Sequence, residues 1–351
     1  YSGAVAEDIV RRVKGHARPG LLAVDDLAAY RPVQRPPLCN TWRSWRICGF
    51  GPPSSGHLTV MQILGLLDTQ PAARQAGAIT ADWMHAYAES AKLAFADRAQ
   101  FIGDPAFVSA PGGDWQTLLA ADYLKDRSGL IGERAMSPAR AGQPGKVKLA
   151  LAPQAEQLEA GTSQVSVVDA DGHAVAMTTS VESAFGSRVM SDGGTGLAGG
   201  FILNNQLTDF SLNPVGADGL PVANRVEAGK RPRSSMAPTL VFDGAGKLLM
   251  VAGSPGGPVI IHYVVKVITG ALGWGLPAQQ AVDLPNFGHF NSGSLIIERG
   301  ALSAAQLADL RERGHTVVET DLTSGLQVLL RTPAGWTGGA DPRREGVVLG
   351  E

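Results

Sequence analysis

The period of the apolar residues changes close to residue 161, before the end returns to mixed structure, and that change limits what the chain can fold into. Ahead of it apolar residues recur at helical spacing. Beyond it short Val, Thr and Ser runs alternate with glycine-rich turns as far as residue 257. Ala4 to Val13 and Val24 to Tyr30 read as helices, with Gly20 as the breaker between them. Gly51-Pro52-Pro53-Ser54-Ser55-Gly56 reads as a rigid turn into a helix from Leu58 to Leu67, and its serines are expected to cap that helix. From Ala81 to Arg98, Trp83, Met84, Tyr87, Ala88, Ala91 and Phe95 share one helical stripe, which is expected to be core. Residues 136–160 lack aromatics and read as an exposed connector. Near the end, Leu295 to Glu298 reads as a strand and Ser303-x-x-Gln306 as a capping box. The helix it opens closes at Gly314 and leads to a strand from His315 to Glu319.

Composition removes several classes of function. Thirty basic against thirty-two acidic residues give a net charge of −2, so there is no basic field to hold nucleic acid or an anionic membrane. An aromatic content of 6% offers few stacking platforms for bases. No apolar run approaches the roughly twenty residues a bilayer requires. The best candidate, Val259 to Ile268, is interrupted by His262 and Lys266. Tyr1 to Asp8 reads as the interior of a folded domain rather than a signal peptide, as in a fragment or a processed product. Cys39 and Cys48 flank an alternating segment that resembles two short strands around a turn; a cross-hairpin disulfide and two half-buried thiols both fit. With no Cys-x-x-Cys and seven scattered histidines, no zinc site and no cofactor are expected.

Chemistry concentrates in the second half. Gly161-Thr162-Ser163 runs into Gln164 to Gly172 as a strand that begins at the threonine, and the hairpin returns through His173 to Ser180. Were the Gly161–Thr162 bond broken, Thr162 would own an α-amine beside its hydroxyl. Such an amine titrates at about 7.7–8.0 and can serve as the general base. A two-residue turn at Ala170-Asp171 would place Thr162 opposite Thr179, whereas a bulge at Gly172 would place it opposite Ser180. Leu203-Asn204-Asn205-Gln206-Leu207-Thr208-Asp209-Phe210 fits either an ammonium site around Asp209 or an Asx-rich turn. Lys230 to Pro238 sets Ser234 and Ser235 among three cations, a pattern suited to a carboxylate. Gly256-Gly257 can present bare backbone N–H groups to an oxyanion or simply make a turn.

In order along the chain, Pro52 to Gly56, Ala94 to Arg98, Gly103 to Pro105, Thr162 to Asp169, Phe185-Gly186, Leu203 to Phe210, Arg231 to Pro238, Gly253 to Gly257 and Gly339 to Gly346 together resemble the γ-glutamyltranspeptidase family of N-terminal-nucleophile hydrolases. The resemblance implies an α+β fold, specifically a four-layer αββα sandwich. It also implies autocatalytic cleavage into residues 1–161, the end of a large subunit, and 162–351, a small subunit, held together as a heterodimer. By matched position Thr162 would be the nucleophile, oriented by Ser180. Glu182, Gln206 and Asp209 would hold the α-amino end of a γ-glutamyl group, Ser234 and Ser235 its α-carboxylate, and Gly256 and Gly257 the oxyanion. A glutathione-like donor, water or an amino acid or peptide as acceptor, and a periplasmic or secreted location would follow.

Three departures from the family pattern bear on this expectation. The family's long region ahead of Tyr1, with an arginine for the substrate carboxylate, is not in this sequence. Pro258-Val259 stands where Ser-Arg is usual, and the loop from Phe210 to Gly229 holds no further aromatic to act as a lid. Two alternatives therefore stay open: an acylase for glutaryl side chains of cephalosporins, and a non-catalytic, unprocessed member of the family.

Overall fold

The protein was analysed as a computed structural model, which describes residues 1–75, 77–155 and 161–350. The front half is mostly helical: α1 (Ala4–Lys14), α2 (Val24–Ala29), α3 (Gly56–Asp68), α4 (Pro71–Gln75), α5 (Ala81–Phe101) and α6 (Ala121–Ser128). It also supplies a hairpin, β1 (Leu38–Trp42) and β2 (Trp45–Gly49). Next come β3 (Thr162–Val168), β4 (Ala174–Ser180), β5 (Met190–Ser191), β6 (Phe201–Ile202), β7 (Thr239–Phe242) and β8 (Leu248–Gly253). The chain closes through α7 (Ile260–Ile268), α8 (Ala278–Asp283), β9 (Phe287–Gly288), β10 (Leu295–Glu298), α9 (Ala304–Glu312), β11 (Val317–Thr320), β12 (Gln327–Thr332) and β13 (Gly335–Ala340).

The main sheet has the order β1-β2-β7-β8-β12-β13 and is antiparallel throughout. Met250 and Ala252 of β8 point into one large apolar core with Trp83 and Tyr87 of α5 and Val264 of α7. The next residue, Gly253, faces the other way, and a Cβ there would lie 2.4 Å from the Gln164 side chain. The β3–β4 hairpin therefore lies on the sheet face opposite the helices. The mixed α+β character is as expected; the four-layer arrangement is not seen among the described residues. Instead the outer face of the hairpin, with Val165, Val167, Val175 and Met177, is open to solvent.

Some expectations hold and others need correction. The α5 stripe is core as expected, and His85, Glu89, Lys92, Asp97 and Arg98 of the same helix are as buried as the stripe. Each of them is partnered, as burial demands; Lys92, for one, donates to Glu89 at 2.8 Å. The connector at 136–160 is only partly exposed. Gly142 N–H binds Asp97 at 2.9 Å, while Ala152 and Gln154 are buried; residues 156–160 lie outside the described residues. The serines before α3 do not cap it as expected: Ser55, at the N-cap, makes no side-chain capping bond. Ser54 Oγ accepts from Gly56 N–H at 3.3 Å, but both serine hydroxyls donate across the fold, Ser54 to Met236 O and Ser55 to Ser234 O. The two cysteines face one another across β1 and β2 and form a disulfide. The C-terminal expectations match: the Ser303–Gln306 capping box opens α9, with β10 and β11 paired beside it.

Candidate active site

The β3–β4 hairpin turns with Gly172 at φ +86°, a left-handed conformation that glycine adopts without strain, and the extra residue sets the register. Thr162 is opposite Ser180, the second of the two alignments the sequence allows. Thr162 is buried, and its Oγ1 donates to Ser180 Oγ at 2.9 Å. Ser180 Oγ in turn donates to the Gly161 carbonyl oxygen at 3.2 Å, which also accepts the Val181 N–H at 3.1 Å. A hydroxyl chain thus runs from the threonine to the carbonyl just ahead of it, and two donors polarise that carbonyl. Glu182 N–H fixes Ser180 Oγ from the other side at 2.9 Å.

The inner face of the hairpin is polar: Gln164 takes a bond from Thr178 at 2.6 Å, and Ser166 donates to Gln327 O at 3.0 Å. These contacts seat β3 on β8 and β12, so that Thr162 starts its strand on the face where β8 comes to an end. Gly256 and Gly257 follow that end at φ +136° and +58°, and a Cβ on Gly256 would strike the Tyr263 ring at 2.7 Å. Neither N–H donates to a described residue. Pro258 and Val259 are buried in the short 3₁₀ turn that leads into α7.

Just past β4, Glu182 sits at φ +75°, uncommon for a residue with a side chain. Its carboxylate accepts from Ser183 Oγ at 2.6 Å and from Asn205 Nδ2. Asn205 N–H binds Val181 O at 3.2 Å, which ties the segment carrying Gln206 and Asp209 to the β3–β4 hairpin. Gln206 Nε2 donates to Asp209 Oδ2 at 3.3 Å, whereas Asp209 Oδ1 is buried with no partner among the described residues. Burial pushes the Asp209 carboxyl up to about 6. Glu182's charge adds to the rise, while the Gln206 bond and the cations Arg233 and Arg98 oppose it. A buried carboxylate with a bare oxygen is an open position for a cation.

Ser234 Oγ accepts from Met236 N–H at 3.0 Å, and Ser235 Oγ accepts from Arg98 Nη2 at 2.7 Å. Neither hydroxyl proton goes to a described residue, so both serines are set as donors. Asn224 joins this segment to the one carrying Asp209: its Oδ1 takes Arg233 N–H at 2.7 Å and its Nδ2 donates to Asp209 O at 2.7 Å. Arg98 and Asn224 were not assigned to the site from sequence. Arg98 lies in the quoted stretch Ala94 to Arg98, while nothing in the linear pattern marks Asn224.

Folding also gathers residues whose sequence spacing argued against a metal. The donor atoms of His85, Glu89 and His315 lie within 4.8 Å of one another. They are committed to each other and to neighbours: His85 Nδ1 contacts His315 Nε2 at 2.8 Å, and Glu89 holds Lys92 and the Met136 N–H. An ammonium on the only carboxylate of the cluster opposes a second cation. A cavity of about 830 Å³ beside α5 is lined by Gln100, Lys148 and Asp218 among others, and by none of the nine candidate site residues.

The profile of the family described as "Gamma-glutamyltranspeptidase" matches residues 1–351. A glutathione hydrolase proenzyme from Escherichia coli (strain K12) is 35% identical over 98% of the chain, and one from Bacillus subtilis (strain 168) is 31% identical over all of it. An acylase ACY 1 proenzyme from Pseudomonas sp. (strain SE83) is 31% identical over 92%. The chain spans 57%, 58% and 53% of the lengths of these relatives. Among solved structures, a cephalosporin acylase from Bacillus halodurans superposes with a TM-score of 0.82 at 25% identity, covering 99% of this chain and 59% of its own.

Proposed function

Because the chain belongs to the γ-glutamyltranspeptidase family, we propose that it is a γ-glutamyl hydrolase or transpeptidase that matures by cutting itself at Gly161–Thr162. The contact from Thr162 Oγ1 to Ser180 Oγ and on to Gly161 O carries this reading. In the maturation step Thr162 Oγ1 attacks the Gly161 carbonyl carbon. Its proton passes to Ser180 as Ser180 gives its own to the Gly161 oxygen, so the tetrahedral species forms without net charge. On collapse the proton on the Gly161 oxygen passes to the Thr162 nitrogen as the C–N bond breaks, which re-forms the carbonyl and leaves an ester to Oγ1 with the nitrogen as a free amine. Water hydrolyses that ester to a Gly161 carboxylate and a free Thr162 amine.

The freed amine then serves as base. It takes the Thr162 hydroxyl proton as Oγ1 attacks the γ-amide carbon of the donor, and it returns the proton to the leaving amine. Ser180 orients the nucleophile, and the N–H groups of Gly256 and Gly257 hold the developing oxyanion. The donor's ammonium pairs with Asp209, supported by Gln206 and Glu182, and its α-carboxylate takes the two serine protons. Water or an acceptor amine releases the γ-glutamyl ester. Glutathione and related γ-glutamyl compounds are the donor class. The Cys39–Cys48 disulfide favours a periplasmic or secreted setting.

Relatives named as an acylase and a cephalosporin acylase support a second reading, the acylase alternative, for which glutaryl amides are the substrates to try. Asp209 discriminates between them: its bare, buried Oδ1 suits an ammonium, and a glutaryl group has none. Turnover of γ-glutamyl-p-nitroanilide against glutaryl-p-nitroanilide tests the choice. A preference for the γ-glutamyl anilide is expected, and a preference for the glutaryl one would establish the acylase.

A further inference from the structure

We infer that Arg98, at the C-terminal end of α5, is a positioning residue that aims the Ser235 hydroxyl proton at the substrate's carboxylate. This rests on the γ-glutamyl reading of the site. Arg98 is 2% exposed, and its guanidinium reaches two serines from two segments, donating through Nη2 to Ser235 at 2.7 Å and through Nε to Ser55 at 2.9 Å. Ser55 in turn donates to Ser234 O at 2.7 Å, so one buried cation braces both members of the serine pair.

The direction of these bonds carries the inference. A guanidinium can only donate. Ser235 must therefore offer it a lone pair, which turns the hydroxyl proton away from Arg98, and that proton meets no described acceptor. Met236 N–H does the same for Ser234 with a neutral donor. At Ser235 the donor is charged and shielded from water, so the hydroxyl is polarised as well as aimed. Arg98 is itself held firmly: its carbonyl accepts from Arg233 Nη1 at 3.0 Å, and its guanidinium lies 5.2 Å from the Phe95 ring centroid. A purely structural brace between α5 and the 234–236 segment would use the same contacts. It would not distinguish substrates that differ only in the carboxylate.

The test compares wild type, Arg98→Lys and Arg98→Met on γ-glutamyl-p-nitroanilide and on the analogue whose α-carboxylate is a carboxamide, with calorimetric titration of L-glutamate and isoglutamine alongside. Arg98→Met is expected to raise KM for the acid by about tenfold to a hundredfold, the range of a charged hydrogen bond. The carboxamide should change less than about threefold, Arg98→Lys should fall between, and Arg98→Met should add nothing in a Ser235→Ala background. Equal losses on both substrates, or none, would overturn the proposal. Should wild type turn over neither anilide, the γ-glutamyl reading fails and the titrations decide Arg98. A loss confined to L-glutamate then supports the proposal; an equal loss, or no glutamate binding by wild type, ends it. If Arg98→Met does not fold, Arg98→Lys carries the comparison, and failure of both variants to fold would assign Arg98 to structure alone.

Discussion

In the proposed site Asp209 would join stability and binding in one side chain. Burial raises its carboxyl from 3.8 to about 6, so the fold favours the protonated form. That contribution is complete below about pH 3.8 and is lost as pH rises through about 6. Asp209→Asn should therefore be more stable than wild type above pH 6, by on the order of 1–3 kcal/mol, as thermal melts at pH 5 and 8 would show. The same variant should raise KM for γ-glutamyl substrates, because an amide brings no charge to the ammonium. In wild type, that KM should climb as pH falls through about 6 and Asp209 takes up its proton. A glutaryl substrate should lack this acidic limb; if both share it, another group is titrating. At this scale sequence reasoning reached Thr162 and Ser180 because counting residues through a hairpin narrows the partner to two choices. Arg98 and Asn224 were out of its reach, since their partners lie across the fold at Ser235 and Arg233.

Single elements show where periodicity informs and where it misleads. α3, α5 and α9 were legible because their apolar spacing or capping residues are local signals. The rest of α5 could not be read from the period, because burial among partners leaves no trace in it: Asp97 is buried yet bonded to Gln62, Tyr123, Arg127 and Gly142. β3 is misleading in the opposite sense, since it turns Thr162, Gln164 and Ser166 inward and Val165 and Val167 outward. Its polar face is the chemical one. The β1–β2 hairpin at the edge of the main sheet gives a prediction at this scale. Replacing Cys39 and Cys48 together with serine should cost about 2–3 kcal/mol, the loop entropy of a closure this short. The denaturant midpoint should fall while kcat stays within about twofold, because the disulfide touches no candidate site residue. A comparable loss of kcat would place the hairpin in the site's support.

Across the whole molecule, the proposed cut falls between residues that share one core and one sheet. β2 from the front pairs with β7 from the back, and Trp83 and Tyr87 pack with Val264 and Phe287. Cleavage should therefore leave a heterodimer that migrates as one species in gel filtration and separates only on denaturation. Elution of two independent species would refute this. The layers were only partly legible. The resemblance led to four; the described residues show helices on one face of the main sheet and the β3–β4 hairpin on the other, with the hairpin's apolar outer face exposed. The most direct test of the account is the intact mass of the purified protein beside that of Thr162→Ala. Two polypeptides in the wild type, the smaller beginning at Thr162, and one uncut chain in the variant are the predicted result. A wild type that turns over γ-glutamyl substrates as a single chain, or a variant cut at the same bond, would contradict it.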